Sequence, residues 1–181
     1  MTDHTLLLLE TAFQRLGSQI KACAPGLRIL SMSEAGEFAL DGTPVAPADT
    51  TPTIAWMGLD LFSCKSSSTF TKAVLQSSSL EWAQTALAGV DAPMFKQIVD
   101  SGARLSSSDA QARSVADFVV GCVIAHLQRY VQRNELQAAR KWQPYEFREL
   151  GRTHWLIVGY GSIGQEVAKR VHGFGTSVSG W

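Results

Sequence analysis

The chain has no excess of charge of either sign: 16 Lys and Arg stand against 16 Asp and Glu over 181 residues. A balanced surface offers no basic field to nucleic acid or to an anionic membrane, and neither partner is expected. Long apolar runs are also missing, the longest falling far short of the roughly 20 residues that cross a bilayer. Leu6–Leu9 is cut by Glu10, and the Met1-Thr2-Asp3-His4 start has no cationic segment, so no secretory leader is expected. Cysteine is scarce. Cys23, Cys64 and Cys122 are odd in number, scattered and without paired metal-ligand spacing, which excludes a disulfide framework and a structural zinc site. They read as reduced thiols of a cytoplasmic protein, Cys64 and Cys122 as small buried apolar residues with no base nearby in sequence.

What is present is the composition of a globular chain, 45% apolar and 18% charged. Leu6–Leu9, Leu27–Leu30, Thr53–Phe62 and Leu80–Thr85 read as strands. Phe13, Leu16 and Ile20 mark one face of an intervening helix, and Pro93–Asp100 a second, short one. Serine clusters at 66–68, 77–79 and 106–108 are expected in loops, because serine competes for backbone hydrogen bonds. Strands without polar alternation, separated by helices, predict an α/β layer on a buried parallel sheet. From about Gln111 to Trp142 the period becomes helical, with Val115, Phe118, Val119, Cys122, Val123, Leu127, Tyr130 and Val131 in phase. A continuous helix there would span about 45 Å, long for a compact domain, with Pro144 ending it. The reading is of two domains, residues 1–110 and 111–181.

Gly159-Tyr160-Gly161-Ser162-Ile163-Gly164 fits G-x-G-x-x-G. The pattern gains weight from its setting: Leu156-Ile157-Val158 is a strand-like run before it, Val167, Ala168 and Val171 give a helical face after it, and "TSVSGW" reads as the next strand. Each glycine has its own reason: Gly159 for a tight turn, Gly161 for close backbone approach to a pyrophosphate, Gly164 for close packing of helix on sheet. The first-turn amides of the following helix lack internal partners and favour a phosphate. The acidic residue expected about 20 residues on, to hold the ribose hydroxyls, has no counterpart, since no Asp or Glu follows Glu166.

A second candidate anion site is Ala88-Gly89-Val90. It follows a strand, with Asp91 placed to cap a helix that has Pro93 in its first turn. On spacing alone, a turn that binds nothing is the simpler reading.

Three stretches together resemble the D-isomer-specific 2-hydroxyacid dehydrogenase family: "LEWAQTALAGVD" (80–91), "RSVADFVVGCVIAHLQR" (113–129) and "GRTHWLIVGYGSIGQEVAKRVHGFGTSV" (151–178). The resemblance implies a flavodoxin-like substrate domain with a parallel sheet, then a long helix and the first β-α-β of a Rossmann domain. It implies hydride transfer between NAD or NADP and a small 2-keto or 2-hydroxy acid, as in a glyoxylate or hydroxypyruvate reductase. It assigns the substrate carboxylate to the backbone of Ala88, Gly89 and Val90, the cofactor to residues 159–164, and a homodimer contact to the long helix.

In the family the catalytic histidine, its acidic partner and the substrate arginine follow the glycine unit, so no catalytic residue is assigned in this chain. The expectation is of the N-terminal part of a longer enzyme, inactive by itself. His4 at a mobile terminus, His126 in a core or interface on the long helix, His154 just before the glycine-motif strand and His172 beyond the turn are all read as non-catalytic. The competing reading is a non-catalytic protein that senses dinucleotide or dimerises through the same fold.

Overall fold

The computed structural model describes residues 4–181; the leader reading at Met1–Asp3 lies outside the described residues. The chain divides into two compact units, Met1–Ser108 and Asp109–Trp181. The architecture is the α/β one expected, built mainly on a parallel sheet.

The first unit carries strands β1 (Thr5–Leu9), β2 (Arg28–Met32), β3 (Phe38–Leu40), β4 (Thr43–Val45), β5 (Ile54–Met57), β6 (Trp82–Thr85) and β7 (Arg104–Ser106), in the sheet order β4-β3-β2-β1-β5-β6-β7. Helices α1 (Glu10–Cys23), α2 (Ser67–Gln76) and α3 (Pro93–Asp100) connect the parallel strands. β1 lies in the middle, paired on both edges, so its leucine run has no solvent face: Leu7 and Leu8 are wholly buried. The strand order moves one way from β1 to β2 and the other way from β5 through β6 to β7. Right-handed crossovers therefore send α1 to one face and α2 and α3 to the other. The reversal leaves a crevice outside the carboxyl ends of β1 and β5, the usual ligand position in such sheets.

Several elements depart from expectation. Thr53–Phe62 is a short strand, β5, followed by a 3-10 turn at Leu59–Phe62. Ser67 and Ser68 begin α2 instead of lying in a loop, because Phe70, Ala73 and Val74 bury one face of that helix and burial outweighs serine's local preference. The β3–β4 hairpin was not anticipated. Its turn is Asp41-Gly42, with φ 50° and 86°, the geometry that suits the twist of a two-residue hairpin. His4 is held, with Nδ1 3.5 Å from the Thr53 hydroxyl and 3.8 Å from Glu81, at the amino edge of the sheet.

The second unit contains α4 (Ala112–Leu127), α5 (Tyr130–Ala138), β8 (His154–Ile157), α6 (Ser162–His172) and β9 (Ser177–Gly180). The single long helix is in fact two. Arg129 takes φ 51° and breaks it, and Ala138, not Pro144, closes the second piece. The break is stabilised by residues 146–148 folding back on it. Leu127 O accepts from the Arg148 amide (3.2 Å), Gln128 Nε2 donates to Arg148 O (3.1 Å), and Arg129 Nε donates to Glu146 O (3.0 Å). The Leu127 carbonyl freed at the helix end thus finds a donor, and two side chains of the break anchor the returning segment.

β8 and β9 pair in parallel, Trp155 opposite Val178 and Ile157 opposite Gly180. Trp155, Ile157 and Val178 turn one face toward Val167 and Val171 of α6 and Ala116 and Val120 of α4. The opposite sheet face is open, with Leu156 66% and Val158 70% exposed. α4 covers α6, so the uncovered face of this unit lies on the sheet. Cys122 is exposed on α4, against the expectation of a buried position, whereas Cys64 is buried as expected; His126 is exposed on the same helix and outside the core. α4 is apolar nearly all round, and its covered side is the one with Ala112, Ala116 and Val120. Among the described residues no helix is long and apolar enough to cross a membrane.

The two cores differ in size, and stability should follow. Amides of Leu156–Val158 are expected to exchange far faster than those of Leu7–Leu9, read by hydrogen exchange at neutral pH. Phe70→Ala in the larger core should cost about 3–5 kcal/mol in denaturant unfolding.

Candidate functional site: the glycine turn and the strand-end loop

Gly159 ends the glycine-motif strand with φ 89°, a backbone region that costs a side-chain-bearing residue dearly. Its amide donates to Trp181 O (2.7 Å), and the Trp181 amide donates to Ile157 O (2.9 Å), so the turn leaves the sheet from a paired position. Gly164 is buried in the first turn of α6. A Cβ there would strike the Gly159 carbonyl oxygen and lie 3.0 Å from Ile157 Cγ2. Gly161 caps α6 with an ordinary φ of −79°, and a Cβ built on it meets nothing within 4 Å. Neither strain nor internal crowding requires glycine at 161. What its missing side chain leaves is open space directly before a helix N-terminus.

That helix end is equipped for an anion. The amides of Ser162, Ile163 and Gly164 have no acceptor among the described residues, and Gln165 N donates back to Gly161 O (2.9 Å). The residues present therefore fit a pyrophosphate group: three free donors, a positive helix end and room for approach. Tyr160 lies flat on the end of β9, where a Cβ on Gly180 would meet its ring. The motif's six residues, 159–164, are thus brought together in one turn.

Glu166, one turn further, would repel such an anion. It is held by Arg170, which reaches both the Glu166 carboxylate and Asp117 of α4, and donates through Nη1 to Glu166 O at 2.9 Å. The Arg170 hydrogen bond is the main cause that lowers the Glu166 carboxyl below its ordinary value; Lys169, Arg170 and Arg113 add to it by charge. In return the Arg170 guanidinium is raised, first by Glu166 and then by Asp117.

In the first unit Ala88, Gly89 and Val90 form an exposed loop at the carboxyl edge of the sheet, between β6 and α3. The Leu87 amide is taken by the buried Thr85 hydroxyl (3.2 Å), and Leu87 O by the Ser108 amide (3.2 Å). The next three amides, 88–90, have no acceptor among the described residues. Asp91 does not cap α3 as expected: Ala92 occupies that position, with no side-chain cap, and Pro93 begins the helix. At the same edge Asp60, which motif reading passed over, accepts from the Thr11 hydroxyl (3.0 Å) and has Arg15 at 4.0 Å. In sequence it fell inside the stretch read as the strand Thr53–Phe62, which gave it no signal; the structure ends β5 at Met57 and frees it.

The remaining histidines stand apart from both loops. His154 is engaged through Nδ1 by Ser177 (2.8 Å) and through Nε2 by Ser179 (3.1 Å) on the open sheet face. His172 is exposed at the far end of α6, and His126 lines a cleft with Cys122, Arg129 and Phe147. Among the described residues no group of three His, Cys, Asp or Glu is arranged to hold a metal.

A parallel pair of strands joined through a glycine turn to a helix that presents free amides is the opening unit of a dinucleotide-binding fold. Residues 120–181 match the family model described as the NAD binding domain of D-isomer specific 2-hydroxyacid dehydrogenases. The resemblance read from the motifs holds over that span. The fold of nearly the whole chain is that of solved structures described in these terms. A D-isomer specific 2-hydroxyacid dehydrogenase family protein from Aeromonas salmonicida is 23% identical with a TM-score of 0.71, over 99% of this chain and 53% of that one. A D-isomer specific 2-hydroxyacid dehydrogenase from Xanthobacter autotrophicus Py2, solved with NADPH and MES, is 18% identical with a TM-score of 0.66, over 98% and 53%. A glyoxylate reductase from Paecilomyes thermophila is 16% identical with a TM-score of 0.64, over 99% and 56%. The chain thus spans about half the length of these proteins. No curated protein is significantly similar to it in sequence.

Two outcomes check the local physics. Gly164→Ala should destabilise the second unit by about 1–3 kcal/mol through overpacking, read as a loss of amide protection in α6. The Glu166 contribution exists above the ordinary glutamate value and is lost as pH falls through the lowered one. Unfolding of wild type and Glu166→Gln should therefore differ at neutral pH and converge in acid, below the ordinary glutamate range.

Proposed function

We propose that the chain supplies the substrate-type domain (residues 1–110) and the first β-α-β of the nucleotide domain (111–181) of an NAD(P)-dependent 2-hydroxyacid dehydrogenase. The reaction is hydride transfer between NAD(P)H and a small 2-keto or 2-hydroxy acid, of the glyoxylate or hydroxypyruvate reductase type. The observation that carries the reading is the glycine turn, with Gly161 facing open space before three free amides in a segment that matches an NAD binding domain.

In this reading the amides of Ser162, Ile163 and Gly164 receive the dinucleotide pyrophosphate, and Gly159, Tyr160 and Gly161 shape the turn. The cofactor, NAD or NADP, supplies the hydride-transfer chemistry. The amides of Ala88, Gly89 and Val90 orient the acid by its carboxylate, which leaves the keto carbon free to react. The general acid/base is none of the four histidines. The exposed stripe of α4, Phe118 and Cys122, serves a homodimer, and the protein works in the cytoplasm. The alternative is a dinucleotide-sensing or dimerising protein without turnover that uses the same fold.

Gly161→Ala separates binding from stability. Its Cβ meets nothing in the protein, so unfolding should shift by less than about 1 kcal/mol. NADH and NADPH binding by titration calorimetry should fall at least tenfold. Unchanged binding would remove the pyrophosphate assignment. Reductase activity is tested with glyoxylate and hydroxypyruvate on the protein purified from its own cell: oxidation of NADH or NADPH is expected, and binding without oxidation selects the sensing alternative.

A further inference from the structure

Two loops at the carboxyl edge of the first unit leave from a bonded pair of strands. Met57 ends β5 opposite Thr85 of β6, and the Ala86 amide donates to Met57 O (2.9 Å). Because β5 lies between β1 and β6, the 3-10 turn Leu59–Phe62 stands between the start of α1 and the loop 88–90. Asp60 is the charged side chain of that turn. Its Oδ2 accepts from the Thr11 hydroxyl (3.0 Å), and Arg15 Nη2 lies 4.0 Å away. Its Oδ1 lies over the end of β5, where a Cβ on Gly58 would strike it. Gly58 has an ordinary φ of −69°, so no backbone strain requires glycine there; the carboxylate takes the space. Oδ1 accepts no hydrogen bond among the described residues. The Asp60 side chain is only 20% exposed, against 68% for Arg15, and Lys65 further along the loop is exposed. Exposed cations offset a sheltered carboxylate weakly. Leu59 and Phe62, exposed on either side of Asp60, are apolar and supply no counter-charge.

We infer that Asp60 sets the side-chain specificity of the keto-acid site, excluding 2-keto diacids and favouring an acid with a hydroxyl on C3. The inference rests on the reading of Ala88–Val90 as the carboxylate site and deepens it. An acid held at 88–90 has the Asp60 turn as its neighbour on the β5 side. A second carboxylate on that acid would meet a like charge that no buried cation offsets. A hydroxyl is a donor instead, and Oδ1 has its lone pairs free to accept it. Repulsion built against the wrong substrate is a common source of selectivity. The family model matches residues 120–181 and does not reach this turn.

The test uses the protein purified from its own cell, as wild type, Asp60→Asn and Gly58→Ala, assayed with NADH and NADPH against glyoxylate, hydroxypyruvate and oxaloacetate. Wild type should prefer hydroxypyruvate to oxaloacetate, and the reverse preference would overturn the assignment. Asparagine keeps an acceptor for the Thr11 hydroxyl and removes the charge. In Asp60→Asn, kcat/KM for oxaloacetate relative to glyoxylate should rise about tenfold, the removal of one like-charge contact. The ratio of hydroxypyruvate to glyoxylate should fall. Gly58→Ala keeps the charge but displaces the carboxylate, and should lower the hydroxypyruvate ratio too. Wild-type ratios in Asp60→Asn would overturn the assignment and leave the dehydrogenase reading standing. An equal loss with all three acids and a lower thermal midpoint would make Asp60 structural and overturn it as well. A wild-type protein that turns over none of the acids would overturn both.

Discussion

The second unit depends on one contact: the Cα of Gly164 lies against the carbonyl oxygen of Gly159, with no room for a Cβ between them. That closeness brings the first turn of α6 under the end of its strand. It can form only because Gly159 turns the chain with φ 89° immediately before. From it follow the burial of Val167 and Val171 on the inner side of β8 and β9, and the outward direction of the Ser162, Ile163 and Gly164 amides. A helix held further off would lose the core and the donors together. The packing of the helix and the exposure of its first amides are here consequences of one missing methyl group.

The first unit reaches a similar outcome by different means. Its strand order reverses between β1 and β5, so the connections diverge and leave the carboxyl edge open. At that edge the buried Thr85 hydroxyl and the Ser108 amide use up the polar groups of Leu87, and the chain passes on with three donors in a row unpaired at 88–90. Unpaired amides on an exposed loop are satisfied by water at little cost. The same donors are available to a carboxylate without rearrangement of the loop. In both units the exposed donors are backbone groups positioned by a neighbour's side-chain size or hydroxyl.

Most of the α/β pattern was legible because buried parallel strands are apolar throughout: the β1 leucines and the run before Gly159 needed no periodicity to be read. What failed did so for identifiable reasons. α2 begins with serines whose local preference points to a loop, and only the burial of Phe70 and Val74 makes the segment helical. The helix of residues 111–142 looked continuous because neither proline nor glycine marks its break. The break depends on Arg148 and Glu146, some 20 residues later, which no local window contains. The Asp41-Gly42 turn was readable, a strong hairpin signal between short apolar runs, and was passed over. At the candidate sites the spacing of the glycine motif marked residues 159–164, which the fold gathers into one turn.

The charge pattern accounts for why so much rests on the main chain. With 16 cations balanced by 16 anions, the chain has no long-range field to draw in a phosphate. Around the glycine turn the nearest ionisable side chain of α6 is Glu166, which has the wrong sign. Fixed dipoles of amide groups act over short range and cost no reorganisation, so they hold an anion only if the adjacent carboxylate is neutralised. Arg170 does this while also tying α6 to Asp117 of α4, which keeps the two helix ends together. The interaction that silences Glu166 and the one that aligns the helices are made by the same guanidinium. Weakening it would therefore expose an opposing charge and loosen the helix that presents the donors.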